Sequence, residues 1–447
     1  MRECLKPTEE TLYVSDLDGT LLTGEQRLTD FTLRVLNRLV RRGVKFTYAT
    51  ARSRNSAEVV TRGLTKSLPV IVYNGAFIRR GDTGELLGKE TLLPAQVDGA
   101  REIFRRHGIS PLVYTLLEGV ERVRWRPGRE TPGVARYLEQ RRGDPRFLPA
   151  GGEDSLYEGE VFYFTGIGER EDLEPAWEEL SRVEGLRALL QEEIYQPGEF
   201  WLEVMPQGAT KANAARLLAK RLGCRRMVAF GDGLNDLPLF EAAQERCAVE
   251  NAAPPLKEAA DWVIPGSEED GVAKWLLADT APVLALGERA GEFRLRLYRQ
   301  EDLEELVRLF YHTVRTVARK DYTREETEAW APSPESVDRD AWGKSLSEHY
   351  TLVAEREGQL VGFGDLDSTG YLDRLYVHKD FQGRGVATAL AEALEGCAWG
   401  LGAERVTVHA SRTARPLFER RGYQVVTAQR VIRRGVELEN FVMERRL

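Results

Sequence analysis

A doubly wound α/β fold with a mostly parallel, Rossmann-like sheet is predicted by two observations. Short apolar runs recur along the first part of the chain: LYV (12–14), VKFTYA (44–49), VIVY (70–73), MVAF (227–230) and WVI (262–264). Segments of helical periodicity alternate with them. The length adds a third constraint, since 447 residues suit two or three domains.

The elements follow in chain order. LYV and VKFTYA are buried strands. Between them, Phe31, Val35, Leu36, Leu39 and Val40 share one face of a helix that stops at Gly43, a C-terminal cap. VIVY is the third strand. Residues 81–194 read differently, rich in Arg, Glu and Gly, with short strands such as VERVRW and EVFYFTGI. They are expected to form an inserted α/β cap module. A helix over 211–222 starts after Thr210, an N-cap, and ends at Gly223. MVAF and WVI complete the first domain, which spans 1–80 and 195–280. Residues 281–292 mix small residues with Pro and Gly and read as a linker. The pattern then restarts with RLRLYRQEDLEELVRLF, a strand and a helix opening a mixed α/β domain over 293–447. Each half is long enough to fold alone, so cleavage near residue 285 should separate them.

Composition narrows the function. Lys plus Arg is 63 and Asp plus Glu is 71, a net charge of −8. That balance argues against nucleic acid or an anionic membrane as partner. No apolar run reaches transmembrane length, and MRECLKPTEE lacks a signal-peptide core. Cys4, Cys224, Cys247 and Cys397 form no CxxC pair, and the five histidines are scattered. A cytoplasmic multidomain protein is expected.

The first strand ends in Asp16-Leu17-Asp18-Gly19-Thr20. Open α/β sheets build sites at the carboxyl ends of strands. One carboxylate there can attack phosphorus and become an aspartyl phosphate. A second, two residues on, can protonate the leaving oxygen and then activate water. Thr50, ending VKFTYA, offers a hydroxyl to a phosphate oxygen, and Lys211 opens a helix with a cation. MVAF leads into Gly231-Asp232-Gly233-Leu234-Asn235-Asp236, whose carboxylates suit Mg2+.

With these residues in this order, 10–277 resemble the haloacid dehalogenase (HAD) superfamily, and within it the Cof-type phosphatases of sugar phosphates and small metabolites. YNGA (73–76), TKANAA (210–215), GDGLNDLPLF (231–240) and EDGVAKWL (269–276) carry the likeness further. The resemblance implies Asp16 as nucleophile and Asp18 as general acid/base. It implies Thr50 and Lys211 on the phosphoryl group. Mg2+ would be held by Asp16, the backbone carbonyl of Asp18, and Asp232. Asp236 and Asn235 would support this set, Asn235 on the phosphate side. Only 31 residues separate Asp18 from Thr50, whereas 160 separate Thr50 from Lys211. The insertion therefore falls where Cof-type proteins carry the cap that selects the leaving group, which favours a small phosphorylated metabolite. Arg122, Arg124, Arg126, Arg141 and Arg142 in this cap form either an anion-facing set or a solvated face.

A second motif lies in the C-terminal half. The strand Arg374-Leu375-Tyr376-Val377 precedes Gln382-Gly383-Arg384-Gly385-Val386-Ala387, a Gly-rich helix start suited to pyrophosphate. With ARPLFERRGYQVV (414–426), residues 293–447 resemble the GNAT family of acetyl-CoA-dependent N-acetyltransferases. The resemblance places acetyl-CoA on Val377 and on Gln382 through Ala387, with an amine as acceptor. Phe418 stands where many relatives have a thiolate-protonating tyrosine, so another donor, for instance Tyr423 or Tyr376, or water must serve. Glu355, Asp367, Asp373 and His409 are candidate bases acting through water. The expected function is a Mg2+-dependent phosphatase joined to an acetyltransferase. The alternative is a single activity regulated by the other domain acting as a ligand sensor.

Overall fold

The structure, a computed structural model, describes residues 10–193, 196–286 and 292–447. They divide into two compact units: one holds the chain up to Tyr48, Glu58–Leu68 and Ala219–Leu447, the other Ala49–Ala57 and Pro69–Leu218. The strands in chain order begin with β1 (Thr11–Ser15), β2 (Lys45–Tyr48), β3 (Val70–Val72), β4 (Phe77–Arg79) and β5 (Leu86–Lys89). Next come β6 (Leu112–Leu117), β7 (Val120–Trp125), β8 (Phe147–Pro149), β9 (Glu160–Gly168), β10 (Leu186–Glu192) and β11 (Phe200–Pro206). β12 (Arg226–Gly231), β13 (Glu245–Val249) and β14 (Trp262–Ile264) follow. β15 (Arg294–Leu297), β16 (Tyr350–Arg356), β17 (Gln359–Leu366), β18 (Tyr371–Val377), β19 (Arg405–Ser411), β20 (Gln424–Arg433) and β21 (Val436–Arg446) complete the chain.

The first unit contains a five-stranded sheet, order β14-β13-β12-β1-β2, parallel throughout. All of β1 is buried, as expected for a parallel strand covered on both faces. The helix Asp30–Arg41 buries the five apolar residues named above; Thr29 caps it, accepting from the Thr32 N–H. Gly43 follows in the left-handed conformation, φ +91°.

One expectation needs correction, and one strand was not foreseen. The linker placed at 281–292 begins inside the helix Gly271–Leu286, so residue 285 is helical. Pro282 is accommodated within that helix, and Ala278 and Ala281 bury their small side chains there. Residues 287–291 lie outside the described residues, as do 194 and 195 at the expected cap boundary. β13 was not foreseen, because Glu245 and Arg246 break its apolar run.

The same unit contains a seven-stranded sheet, order β15-β16-β17-β18-β19-β21-β20. All its pairings are antiparallel except β18 with β19. The helices Leu303–Thr316 and Arg339–Glu348 share a core with Val353 and Phe363. The helix Val386–Gly400 is apolar almost all round because it is covered twice. One side packs on β16, β17 and β18; the other meets the helices Asp30–Arg41 and Gly271–Leu286. Gly400 fits there because a Cβ would crowd Val35 and Phe31, and one on Gly396 would meet Leu277 at 3.0 Å. Glu392 pairs with Arg42 at 2.6 Å, Arg294 with Glu245 at 2.9 Å, and the Tyr350 hydroxyl donates to the Lys274 carbonyl at 2.9 Å. This seam runs against the expectation that the halves separate freely.

The second unit contains a three-stranded sheet, β3-β4-β5, and a six-stranded sheet, β10-β11-β9-β6-β7-β8. The helices Pro94–Arg106 and Arg170–Leu180 cover one face of the larger sheet, packing Phe104 and Leu173 with Phe164, Leu202 and Val204. The strand alternation leaves Tyr163 and Glu203 on the other face.

Candidate active sites

β1 delivers Asp16 to the carboxyl edge of the five-stranded sheet. Its N–H donates to the Phe230 carbonyl at 3.0 Å, locking it beside the end of β12. The turn that follows is tight: the Leu17 carbonyl accepts the N–H groups of Thr20, Leu21 and Leu22. Gly19 at φ +73° is required twice, by that conformation and by Asp232, whose carboxylate a Cβ would overlap. The Thr20 hydroxyl donates to Asp232 Oδ1 at 2.6 Å, and Asn251 Nδ2 to the Gly19 carbonyl at 2.7 Å.

The chain after β12 turns through Leu234–Asp236. Asp236 is fully buried, and its Oδ2 accepts the N–H groups of Asp232 at 3.1 Å and Gly233 at 3.2 Å. Asp16, Asp232 and Asp236 each present a carboxylate oxygen within 4.8 Å of the others. Three carboxylates so close repel one another unless a cation joins them. This all-oxygen set fits Mg2+. Asp18 and Asn235 are half-buried beside them in sequence.

Thr50 and Lys211 belong to the second unit. Thr50 is fully buried; its N–H donates to the Ile71 carbonyl at 3.0 Å, and its hydroxyl oxygen accepts the Arg52 N–H at 3.1 Å. Lys211 opens the helix Lys211–Arg221 and is only 2% exposed. Thr210 caps that helix as expected, accepting the Asn213 N–H at 3.0 Å. The YNGA segment has a role that its motif alone did not disclose. Tyr73 and Asn74 are both left-handed, and a Cβ on Gly75 would overlap the Thr210 carbonyl, so this turn lies directly on the helix start. Asn74 Nδ2 donates to the Tyr163 hydroxyl at 3.3 Å, while its buried Oδ1 lacks a partner. Burial pushes the Glu203 carboxyl up, opposed by Tyr163, Arg187 and Lys211. Neither Tyr163 nor Glu203 was singled out from the sequence, since each sits singly in an ordinary strand pattern.

The cap arginines are engaged within the cap. Arg124 is buried against Glu158, Arg126 pairs with Glu153, Arg142 with Glu139, and Arg141 stacks over Tyr137. Arg122 donates to the Pro145 carbonyl at 3.1 Å.

In the seven-stranded sheet β18 pairs with β19 only at Tyr371↔Thr407 and Leu372↔Val408. Beyond that the strands part, leaving the backbone of 373–377 without a strand on that side. An extended arm of peptide-like amides can pair there. Gln382 Nε2 and Thr313 Oγ1 both donate to the Val377 carbonyl, at 2.6 and 3.1 Å, fixing the strand end to the loop. Gly383 and Gly385 are left-handed, φ +72° and +87°, and Gly385 caps the helix Val386–Gly400. Val386 is buried, Ala387 half-buried, and Arg384 lies over Phe381 at 5.1 Å. The N-terminus of this 15-residue helix is a positive end suited to a pyrophosphate.

Phe418 is buried edge-on to Tyr423. Tyr423 cannot replace the missing donor, because its hydroxyl donates to buried Glu395, itself paired with Arg421. Tyr376 is enclosed by Phe310 and Phe363, and burial raises it well above ordinary tyrosine. Among the candidate bases, Glu355 is paired with Arg296, Asp367 caps its own turn, and His409 lies against Tyr371. Asp373 alone joins a polar cluster, with His349 and Asp365.

A parallel α/β core with a carboxylate cluster, followed by a mixed sheet that splays before a Gly-rich helix start, defines an enzyme built of a hydrolase-type domain and an acetyltransferase-type domain. Residues 13–276 match the model of haloacid dehalogenase-like hydrolases, and residues 318–445 that of the acetyltransferase (GNAT) domain. The chain belongs to the haloacid dehalogenase-like hydrolase family, with a GNAT N-acetyltransferase domain fused behind it. It is 28% identical over 280 residues to an HMP-PP phosphatase of Serratia proteamaculans, covering 59% of this chain and 93% of that one. The C-terminal part is 35% identical over 150 residues to the uncharacterized N-acetyltransferase YafP of Escherichia coli, covering 34% of this chain and 93% of YafP. A HAD-superfamily phosphatase structure from Bacteroides thetaiotaomicron shares the fold, with a TM-score of 0.50 at 24% identity, covering 62% of this chain and 96% of that one.

Proposed function

We propose that the chain catalyses two reactions: Mg2+-dependent hydrolysis of a small, sugar-phosphate-like metabolite, and acetyl transfer from acetyl-CoA to an amine. The observation that carries the first is the approach of Asp16, Asp232 and Asp236 to within 4.8 Å. Asp16 attacks phosphorus and becomes the aspartyl phosphate; Asp18 protonates the leaving oxygen and then draws a proton from water. Thr50 and Lys211 are assigned to phosphoryl oxygens, and Asn235 to the phosphate side of the metal set. Asp16, the Asp18 carbonyl and Asp232, supported by Asp236, would hold Mg2+, which when bound neutralises phosphoryl charge. The likeness to the Serratia HMP-PP phosphatase supports the substrate class.

For the second reaction, the free edge at 373–377 takes the pantetheine arm, and the loop from Gln382 to Ala387 takes the pyrophosphate. We place both reactions in the cytoplasm. Among the described residues no helix is long and apolar enough to cross a membrane. Burial of Phe418 and Tyr423 favours a second reading, in which this domain binds acetyl-CoA as a sensor of the phosphatase. Screening the full chain against phosphorylated metabolites and phosphopeptides, with acetyl-CoA and amines alongside, decides. Phosphate released from a small metabolite and thiol released with an amine are expected. Hydrolysis confined to phosphopeptides contradicts the substrate class, and acetyl-CoA binding without thiol release supports the sensor.

A further inference from the structure

The cluster around His349 is not used by anything above. His349 follows the helix Arg339–Glu348 and precedes β16. Its Nδ1 lies 2.6 Å from Asp365 Oδ2, on the neighbouring strand β17. Asp365 is fully buried, and its Oδ1 lacks a partner. Arg374, opposite Asp365 on β18, donates to Asp365 Oδ2 at 3.0 Å and to Ser345 Oγ at 2.8 Å, and lies over Trp342. It also pairs with Asp373 at 3.1 Å. A ring nitrogen of His349 and carboxylate oxygens of Asp365 and Asp373 all fall within 4.8 Å of one another.

The position of this cluster gives it meaning. The register of β17 against β18 runs Asp365↔Arg374 and then Leu366↔Leu372, so Asp373 is the extra residue of a bulge. The last pair joining β18 to β19 is Leu372↔Val408. Asp373 is therefore the first residue of the opened edge. From Val377 back to Asp373 is about 13 Å of extended strand, a span that an extended pantetheine arm covers. Pyrophosphate on the Gly-rich loop thus directs the thioester toward Asp373 and His349.

We infer that His349, oriented by Asp365, is the base that deprotonates the acceptor, and that the exposed carboxylate of Asp373 receives that acceptor as a primary ammonium. This rests on the acetyltransferase reading. With Nδ1–H donated to Asp365, the Nε2 lone pair is the one left for the substrate. The ammonium gives one proton to Nε2. The free amine attacks the thioester carbonyl, a C–N bond forms and the C–S bond breaks. The coenzyme A thiolate leaves and takes up the second amine proton, and His349 returns its proton to water. The net products are the N-acetyl amine, the free thiol and one proton. Asp365 is a positioning residue. The charged groups facing His349 are Asp365, Asp367, Asp373 and Arg374. The Asp365 hydrogen bond holds the imidazole above ordinary histidine, against burial and Arg374.

The test uses the full-length protein, acetyl-CoA and a panel of primary amines. Wild-type transfer is expected to rise with pH through the raised His349 ionisation and then level. His349→Gln should bind acetyl-CoA unchanged and lose at least about a hundredfold in transfer at pH 7. Its rate should then climb about tenfold per pH unit, following the free-amine fraction. Asp365→Asn should move the wild-type limb to lower pH, and Asp373→Asn should raise the amine KM more than it lowers kcat. If Asp365→Asn does not fold, NMR titration of the His349 ring in the wild type, expected above about 6.5, reports the dyad directly. His349→Gln with the wild-type pH profile, or a ring titrating at or below the ordinary value, overturns the proposal and leaves the acetyltransferase standing. Absence of thiol release with every amine overturns the acetyltransferase reading itself.

Discussion

Asp16→Asn is expected to lower phosphate release by about a thousandfold or more, without unfolding the protein. The amide matches the carboxylate in shape but cannot form the acyl phosphate. Two of the bonds that place residue 16 are backbone ones: its N–H to the Phe230 carbonyl, and its own carbonyl accepting from the Ser15 hydroxyl at 2.7 Å. Neither depends on the side-chain charge. The substitution also removes one of three carboxylates that lie within 4.8 Å of one another, which lowers their mutual repulsion. Acetyl transfer should be unchanged. Rapid-quench trapping of the phosphoenzyme with a good substrate checks the mechanism, and wild-type turnover in the variant would rule out an Asp16 nucleophile.

Cutting the chain between its two families is expected to cost both pieces. Phe31, Val35 and Leu277 meet the helix Val386–Gly400 across the seam. Fully exposing a side chain of this size costs about 1.5–3 kcal/mol, against a total stability of about 5–15 kcal/mol. Arg42 and Arg38 would lose Glu392, and Arg38 would lose the Trp399 ring. A 293–447 fragment should therefore melt at least about 10 °C lower than the intact chain or self-associate. Calorimetry and light scattering on fragment and parent provide the check. A monomeric fragment with the parent's melting temperature would show that the seam contributes nothing.

The strands and the gathering of Asp16, Asp232 and Asp236 at their ends were legible because their signals are local. An apolar run ending in DLDGT, or one ending in GDGLND, states both the strand and where its carboxylates fall. The Gly-rich loop was legible for the same reason, since two left-handed positions demand glycine. What stayed hidden depends on register. Nothing near His349 in sequence points to Asp365, sixteen residues away; the antiparallel pairing of β16 with β17 brings them together. Asp373 could be suspected, but not the bulge that opens the sheet at that residue. The linker was misread because Ala, Pro and Leu suit an exposed connection as well as the last turns of a buried helix. Packing against the helix Val386–Gly400, where Gly396 admits Leu277, explains why it is helical and covered.

The most direct test of two chemistries in one chain is a paired assay on the intact protein, following free phosphate and free thiol together. With a phosphorylated metabolite, acetyl-CoA and an amine present, EDTA should abolish phosphate release, and excess Mg2+ should restore it. Thiol release should continue at the same rate throughout, since none of the residues assigned to it belongs to the cluster of Asp16, Asp232 and Asp236. Phosphate release that persists in EDTA, or thiol release that stops with it, would contradict the account.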